Sequence, residues 1–334
     1  SAEPKIKSAE PKIKSAEPKI KNAVPKIKNA VPKIKNAVPK IKNAVPKINL
    51  NRFRVAGPGK FKLTNHPANY TAKMKSKEDA KTELDSNIKL MAEMQDMMYA
   101  HDKWGLLIIF QAMDAAGKDG VIKHVMSGLN PQGTQVFSFK QPSAEELDHD
   151  YFWRYTKSLP ERGRIGIFNR SYYEEVLVVK IHNLLQNEKL PDPIVKNDIW
   201  NNRYRQIRNF EKYLTDNGIV VVKFFLNVSK DEQKRRFLER IENPTKNWKF
   251  SASDLKERAY WDQYQKAYEE AIANTSTKNA PWYIIPADKK WFARLIISEV
   301  ISETLKSLKV HYPIVTNEHR HSLAQYKESL MAEE

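Results

Sequence analysis

The chain contains no cysteine. That excludes a disulfide scaffold, thiolate metal sites and a cysteine nucleophile, and it suits a reducing, cytoplasmic location. Long apolar runs are also missing. The longest pieces resemble LLIIF at 106–110, far short of the roughly 18 residues of a membrane-spanning helix. The first residues are rich in Lys and Pro, which is not how a secretory signal reads. What is present is 334 residues, 41% apolar and 10% aromatic, with a net charge of +17. Residues 1–49 hold 13 Lys and 3 Glu, a charge of +10, leaving +7 on the remaining 285. Both portions are basic, which points to a polyanionic substrate or partner.

The first 49 residues are a repeat. SAEPKIK starts at positions 1, 8 and 15, NAVPKIK at 22, 29 and 36, and NAVPKIN closes the array. A heptad period suggests a coiled coil, but every repeat carries Pro, which costs a helix interior about 3 kcal/mol. One Ile per repeat, joined by one Val in the later ones, is too little apolar surface for a seam. The array reads as an extended or disordered basic arm, either an electrostatic tether for polyanions or a solvated extension.

A helix is expected at 77–100, where Leu84, Ile88, Met91, Met94 and Met98 share one face. From residue 104 short apolar runs alternate with helical stretches. The runs are 106–110, 135–139, 165–168, 219–226 and 282–286. The stretches are 117–129, 144–157, 171–186, 195–216, 230–242, 253–273 and 289–308. Continuous apolar strands separated by helices imply an α/β fold with a mainly parallel sheet covered on both faces. Ligands of such sheets bind at the carboxyl ends of the strands.

After the first run comes Gln111-Ala112-Met113-Asp114-Ala115-Ala116-Gly117-Lys118-Asp119-Gly120. Against G-x-x-x-x-G-K-[ST], the Gly117-Lys118 pair matches, whereas Ala112 replaces the first Gly and Asp119 the hydroxyl residue. The context is still that of a phosphate loop, between a buried strand and a helix. Ala116, Gly117, Lys118, Asp119 and Gly120 are therefore expected to cradle phosphate, with Lys123 one turn on. Without the hydroxyl, a carboxylate inside the cradle needs a cation between itself and the phosphate, so Asp114 is assigned to Mg²⁺. The alternative is a helix cap. The third expected strand ends in Phe168-Asn169-Arg170, where Asn169 takes the Walker B position and Arg170 is aimed into the same crevice, or else forms a surface ion pair. Arg236 and Arg240, four residues apart, share one helical face, with Lys246 and Lys249 following. That segment is a candidate lid carrying positive charge over phosphates.

Taken together, IFQAMDAAGKDG, GLNPQG, SFKQPS, IGIFNRSYYEEVLV, KFFLNVSKDEQKRRFLERI, TKNWKFSASDLKER and NAPWYIIPAD resemble the second polyphosphate-kinase family. The resemblance covers about residues 52–315 and not the repeat. It implies a P-loop kinase-like three-layer sandwich with a helical lid, phosphoryl exchange between inorganic polyphosphate and adenine nucleotides (AMP, ADP, ATP), Mg²⁺, and a homotetramer. It also implies roles for Asp114, Lys118, Asn169, Arg170, Arg236 and Arg240 in catalysis, and for Asp114, Asn169 and Glu174 at the nucleotide. Glu174 with FNRS is similar to class III, which accepts both AMP and ADP, although Asn169 departs from the Asp of many members.

The expected division is a basic tail at 1–49, a linker and helix at 50–103, a kinase domain at 104–315 with its lid at about 230–258, and a helical tail at 316–334. Two other readings stay open. One is an ATP-dependent nucleotide kinase of thymidylate-kinase type. The other is nucleic-acid binding through the Lys-rich arm, which no reading motif in the body supports. No membrane partner is expected.

Overall fold

In the computed structural model, residues 48–333 are described. The reading of the repeat, apart from its last two residues, lies outside them. The frame is a six-stranded sheet in the order β1-β6-β5-β2-β4-β3. Its strands are β1 (Arg54–Val55), β2 (Gly105–Ala112), β3 (Thr134–Ser138), β4 (Ile165–Asn169), β5 (Ile219–Asn227) and β6 (Trp282–Pro286). β1 pairs antiparallel to β6, and every other neighbouring pair is parallel.

All eight residues of β2 are buried. Side chains alternate between the two faces of a strand, so this strand is covered on both sides, as its unbroken apolar run requires. Helix Lys77–His101 packs on helix Lys290–Ser307, which also touches helix Lys118–Val125, whereas helix Ile199–Asp216 packs on β5 and on helix Trp261–Thr275. The Met face of the first helix joins the core through Met91 and Met98.

Several boundaries differ from expectation, each for a local reason. The expected helix at 144–157 is two short turns, Ala144–Leu147 and Trp153–Thr156, because the Asp150 carboxylate accepts the Phe152 N–H and starts a new turn. The expected helix at 171–186 is mostly 3₁₀, over Tyr172–Val176 and Leu184–Glu188 with one α-turn between them. The Ser171 hydroxyl caps its start. Helix Ile199–Asp216 begins after Asp198, which is left-handed at φ 46°. The 253–273 stretch divides at Tyr260 into Ala252–Ala259 and Trp261–Thr275. β1 was not anticipated. Two residues carry no periodicity, and only pairing with β6 makes them a strand.

Chain order places the site. From β2 the chain runs to the sheet edge at β3, returns to β4 beside β2, then crosses to β5 on the other side. The carboxyl end of β2 is thus a topological switch point, where α/β sheets open a crevice. Register aligns Phe110 with Asn169 and Asn169 with Ser138, so the loops after β2, β3 and β4 leave the sheet side by side.

Candidate active site

The loop after β2 turns on two left-handed residues, Ala115 at φ 59° and Gly117 at φ 109°. Gly117 is the N-cap of helix Lys118–Val125, and no side chain caps that end. The first N–H groups, from Lys118 to Gly120, have no intrahelical partner and can face an anion, whereas the Ala116 N–H, expected to join them, donates to the Met113 carbonyl at 3.3 Å. The Lys118 ammonium donates to the Ala112 carbonyl at 3.0 Å. Burial, helped by the nearby Arg170 cation, pushes its pKa down to about 8. A phosphate in the cradle would draw it back up.

Arg170 also has left-handed backbone, φ 65°, uncommon for a non-glycine residue and a recurrent mark of functional sites. Its N–H donates to the Phe110 carbonyl at 3.0 Å. The guanidinium meets Asp114 at 3.2 Å and lies 3.7 Å from Glu174. Those carboxylates, Glu174 first, hold its pKa above the usual arginine range. Asn169 donates to the Asp119 carboxylate at 2.7 Å, tying the end of β4 to the phosphate helix. Glu174 accepts from the Gln111 amide at 2.8 Å.

Asp114, Lys118, Asn169, Arg170 and Arg240 all line one crevice of about 800 Å³ with Ala116–Gly120. Nine Lys and Arg side chains border it against four Asp and Glu. An adjoining cavity of about 400 Å³ is lined by Met113, Leu177, Val178, Tyr264, Tyr268 and Glu174, among others. Asp114, Gln141, Arg170 and Asp254 border both.

Two expectations need correction. Arg236 lies on helix Lys230–Glu242 and borders the crevice, but it is only 3% exposed. Its guanidinium donates to the Ala115, Ala116, Ala287 and Asp288 carbonyls and to Glu232. Every donor is engaged, so Arg236 braces the phosphate loop from behind rather than offering a free cation from a lid. Lys123 is exposed and not among the residues lining the crevice, because the helix turns its side chain outward. Arg240 fits the lid reading better, bonding the Lys249 carbonyl at 3.2 Å and lying 3.8 Å from Asp254.

The reading from sequence missed three cations in the crevice wall, Lys140, Lys290 and Arg294. Lys290 and Arg294 stand four apart on the first turns of the last sheet-packing helix. That spacing could have flagged them, but nothing in sequence brings position 294 near Gly120, where an added Cβ would lie 3.8 Å from the Arg294 guanidinium.

Among the described residues no set of three or more His, Asp or Glu side chains is arranged to hold a metal, and no helix is long and apolar enough to cross a membrane.

Comparison with known proteins places this architecture. The family profile described as Polyphosphate kinase 2 matches residues 73–313. An ADP-polyphosphate phosphotransferase of Rhodopseudomonas palustris is 53% identical over 286 residues, covering 85% of this chain and 99% of that protein. An AMP/ADP-polyphosphate phosphotransferase of Meiothermus ruber is 43% identical, covering 79% and 96%. The crystal structure of polyphosphate kinase 2 from Arthrobacter aurescens superposes with a TM-score of 0.75 at 38% identity, over 83% of this chain and 95% of that one.

Proposed function

This chain belongs to the polyphosphate kinase 2 family, and from that premise we propose that its two joined cavities divide the substrates. It is a phosphotransferase that uses polyphosphate to phosphorylate nucleotides. The basic crevice takes the polyphosphate donor. The smaller cavity, with its tyrosines and aliphatic side chains, takes AMP or ADP. The observation that carries the reading is the shared wall, since Asp114 and Arg170 border both spaces and transfer has to cross there.

Phosphoryl transfer asks for alignment and charge neutralisation more than for covalent chemistry. The accepting phosphate has a second pKa of about 6 and is already largely ionised at neutral pH, so no general base is needed. The obstacle is repulsion between two polyanions. Lys118 and the N–H groups of Gly117–Gly120 hold the terminal donor phosphate. Arg170 reaches the phosphates of both substrates once they displace its bond to Asp114. Arg240, with Lys246 and Lys249, adds positive charge from the far wall, and Arg236 keeps the loop in shape.

Asp114 suits Mg²⁺, which usually takes one or two carboxylates and completes its shell with substrate phosphates and water. Asp114 would hold the ion, which would supply positive charge to offset that of the phosphates. The proposal extends to both AMP and ADP as acceptors, to ATP in the reverse direction, to a homotetramer and to a cytoplasmic location. The size of the assembly is open to light scattering.

The test is a reaction with Mg²⁺ and polyphosphate but no ATP, run on AMP and ADP separately. Formation of ADP from the first and ATP from the second is expected. A folded protein inactive with polyphosphate but active with ATP as donor would revive the thymidylate-kinase type of reading.

A further inference from the structure

Gln111 is a fully buried polar residue near the end of β2, one position before the phosphate loop proper. A buried amide must satisfy both its ends. Ser171 donates its hydroxyl to the Gln111 carbonyl oxygen at 3.2 Å. The Glu174 carboxylate, which can only accept, fixes which way the amide points, and the NH₂ group donates to it at 2.8 Å. One Glu174 oxygen is thereby pinned to β2, and the other is left 3.7 Å from the Arg170 guanidinium.

We propose that Gln111 is a positioning residue that sets the preference between AMP and ADP by fixing the Glu174 carboxylate beside Arg170. The inference rests on the reading of the smaller cavity as the acceptor site, which Glu174 lines. A carboxylate held there shares the charge of Arg170 and repels an incoming anion. ADP carries more negative charge than AMP and is repelled more. A Glu174 released from Gln111 can swing away and relax that discrimination. Gln111 touches neither substrate in this arrangement and acts only through Glu174.

The experiment is a double-mutant cycle on the ratio of AMP to ADP dissociation constants, measured by calorimetry. Binding is chosen because it is independent of the phosphate donor. A failure of the polyphosphate reading would appear in wild-type turnover and leave this ratio untouched. Gln111→Met keeps the length and volume of the side chain and removes its hydrogen bonds. Expected is a shift of about tenfold toward ADP, a coupling typical of residues in direct contact. In the Glu174→Gln background the same substitution should shift the ratio less than about twofold. Equal shifts in the two backgrounds would overturn the proposal, since a residue acting through Glu174 has nothing left to act on.

Should Gln111→Met fail to fold, the exchange Gln111→Glu with Glu174→Gln decides. It restores an amide–carboxylate bond with the charge moved back onto β2. A ratio like that of Glu174→Gln alone supports the proposal. A wild-type ratio in the exchanged protein sinks it.

Discussion

The Arg170 guanidinium and the Asp114 carboxylate meet at 3.2 Å in the wall that separates a basic crevice from a smaller, tyrosine-lined cavity. The pair joins the loop after β2 to the loop after β4. Without substrate, each charge is partly satisfied by the other. On the proposed division of substrates, an arriving phosphate would draw Arg170 to itself and free Asp114 for a cation.

Replacing Asp114 by Asn, or Lys118 by Ala, is expected to remove most turnover while leaving the fold intact. Both side chains sit at the cradle, and neither is part of the apolar core. Losing one group that acts on transition-state charge typically costs about 10²–10³ in kcat. Steady-state assays paired with circular dichroism check this, and near-normal activity in either folded variant would remove the assignment.

Arg236 and Arg240 should separate in their effects. Arg236→Ala strands Glu232 and four carbonyl oxygens that share its guanidinium. Removing one partner of a buried charged pair costs about 3–5 kcal/mol, so a marked fall in Tm is expected along with lost activity. Arg240→Ala should hardly move Tm and should lower kcat more than it raises the nucleotide KM. Equal Tm values for the two variants would remove the bracing role given to Arg236.

Lys118 should impose an alkaline limb on polyphosphate use. Burial lowers its pKa to about 8 in the free enzyme, so its positive charge is present below that pH and lost above it. The profile of kcat/KM reports groups of the free enzyme and should fall as pH rises through about 8. The linkage to stability has the opposite sense. The unfolded chain binds this proton more tightly, so the cost of burying the ammonium fades as pH rises from about 8 toward the ordinary lysine value. Lys118→Arg, whose charge does not titrate in this range, should lose the limb in polyphosphate binding even if its turnover is poor.

Lys290→Ala and Arg294→Ala should weaken polyphosphate more than nucleotide. Both side chains border the basic crevice and neither borders the smaller cavity. The expected result is a severalfold rise in polyphosphate KM, larger at low salt because screening acts over about 8 Å at physiological ionic strength. An equal rise in nucleotide KM would count against the division of substrates between the cavities.

Deleting residues 1–47 tests the basic repeat while sparing Ile48, which packs against the core, and Asn49, which caps the next turn. Turnover at saturating polyphosphate should be unchanged, because a segment of charge +10 with so few apolar residues has little to add to a core. Long chains at low salt should be used less well, because a tethered cation raises the local concentration of a polyanion. Kinetics on long and short polyphosphate at two salt concentrations decide it, and equal KM values on long chains at low salt would leave the repeat without a tethering role.

The sequence by itself determined five of the six strands, β1 being the exception, their order along the chain, and the signature of a phosphate loop after β2. A run such as Leu106–Phe110 can be satisfied only inside a covered sheet, and Gly117-Lys118 between a strand and a helix leaves N–H groups pointing at an anion. Both are local patterns, set by residues a few positions apart. The direction in which a charged side chain faces is not local. Arg236 and Arg240 share one helical face and look equivalent in the sequence, yet packing buries the first among loop carbonyls and leaves the second at the crevice wall. Lys123 follows the loop closely and faces away, whereas Arg294, more than 170 positions after Gly120, lies against it. Which cations reach the crevice depends on how helices far apart in the chain come to lie beside one another. Only the tertiary structure decides that, because burial and distance are properties of the packed chain and not of its order.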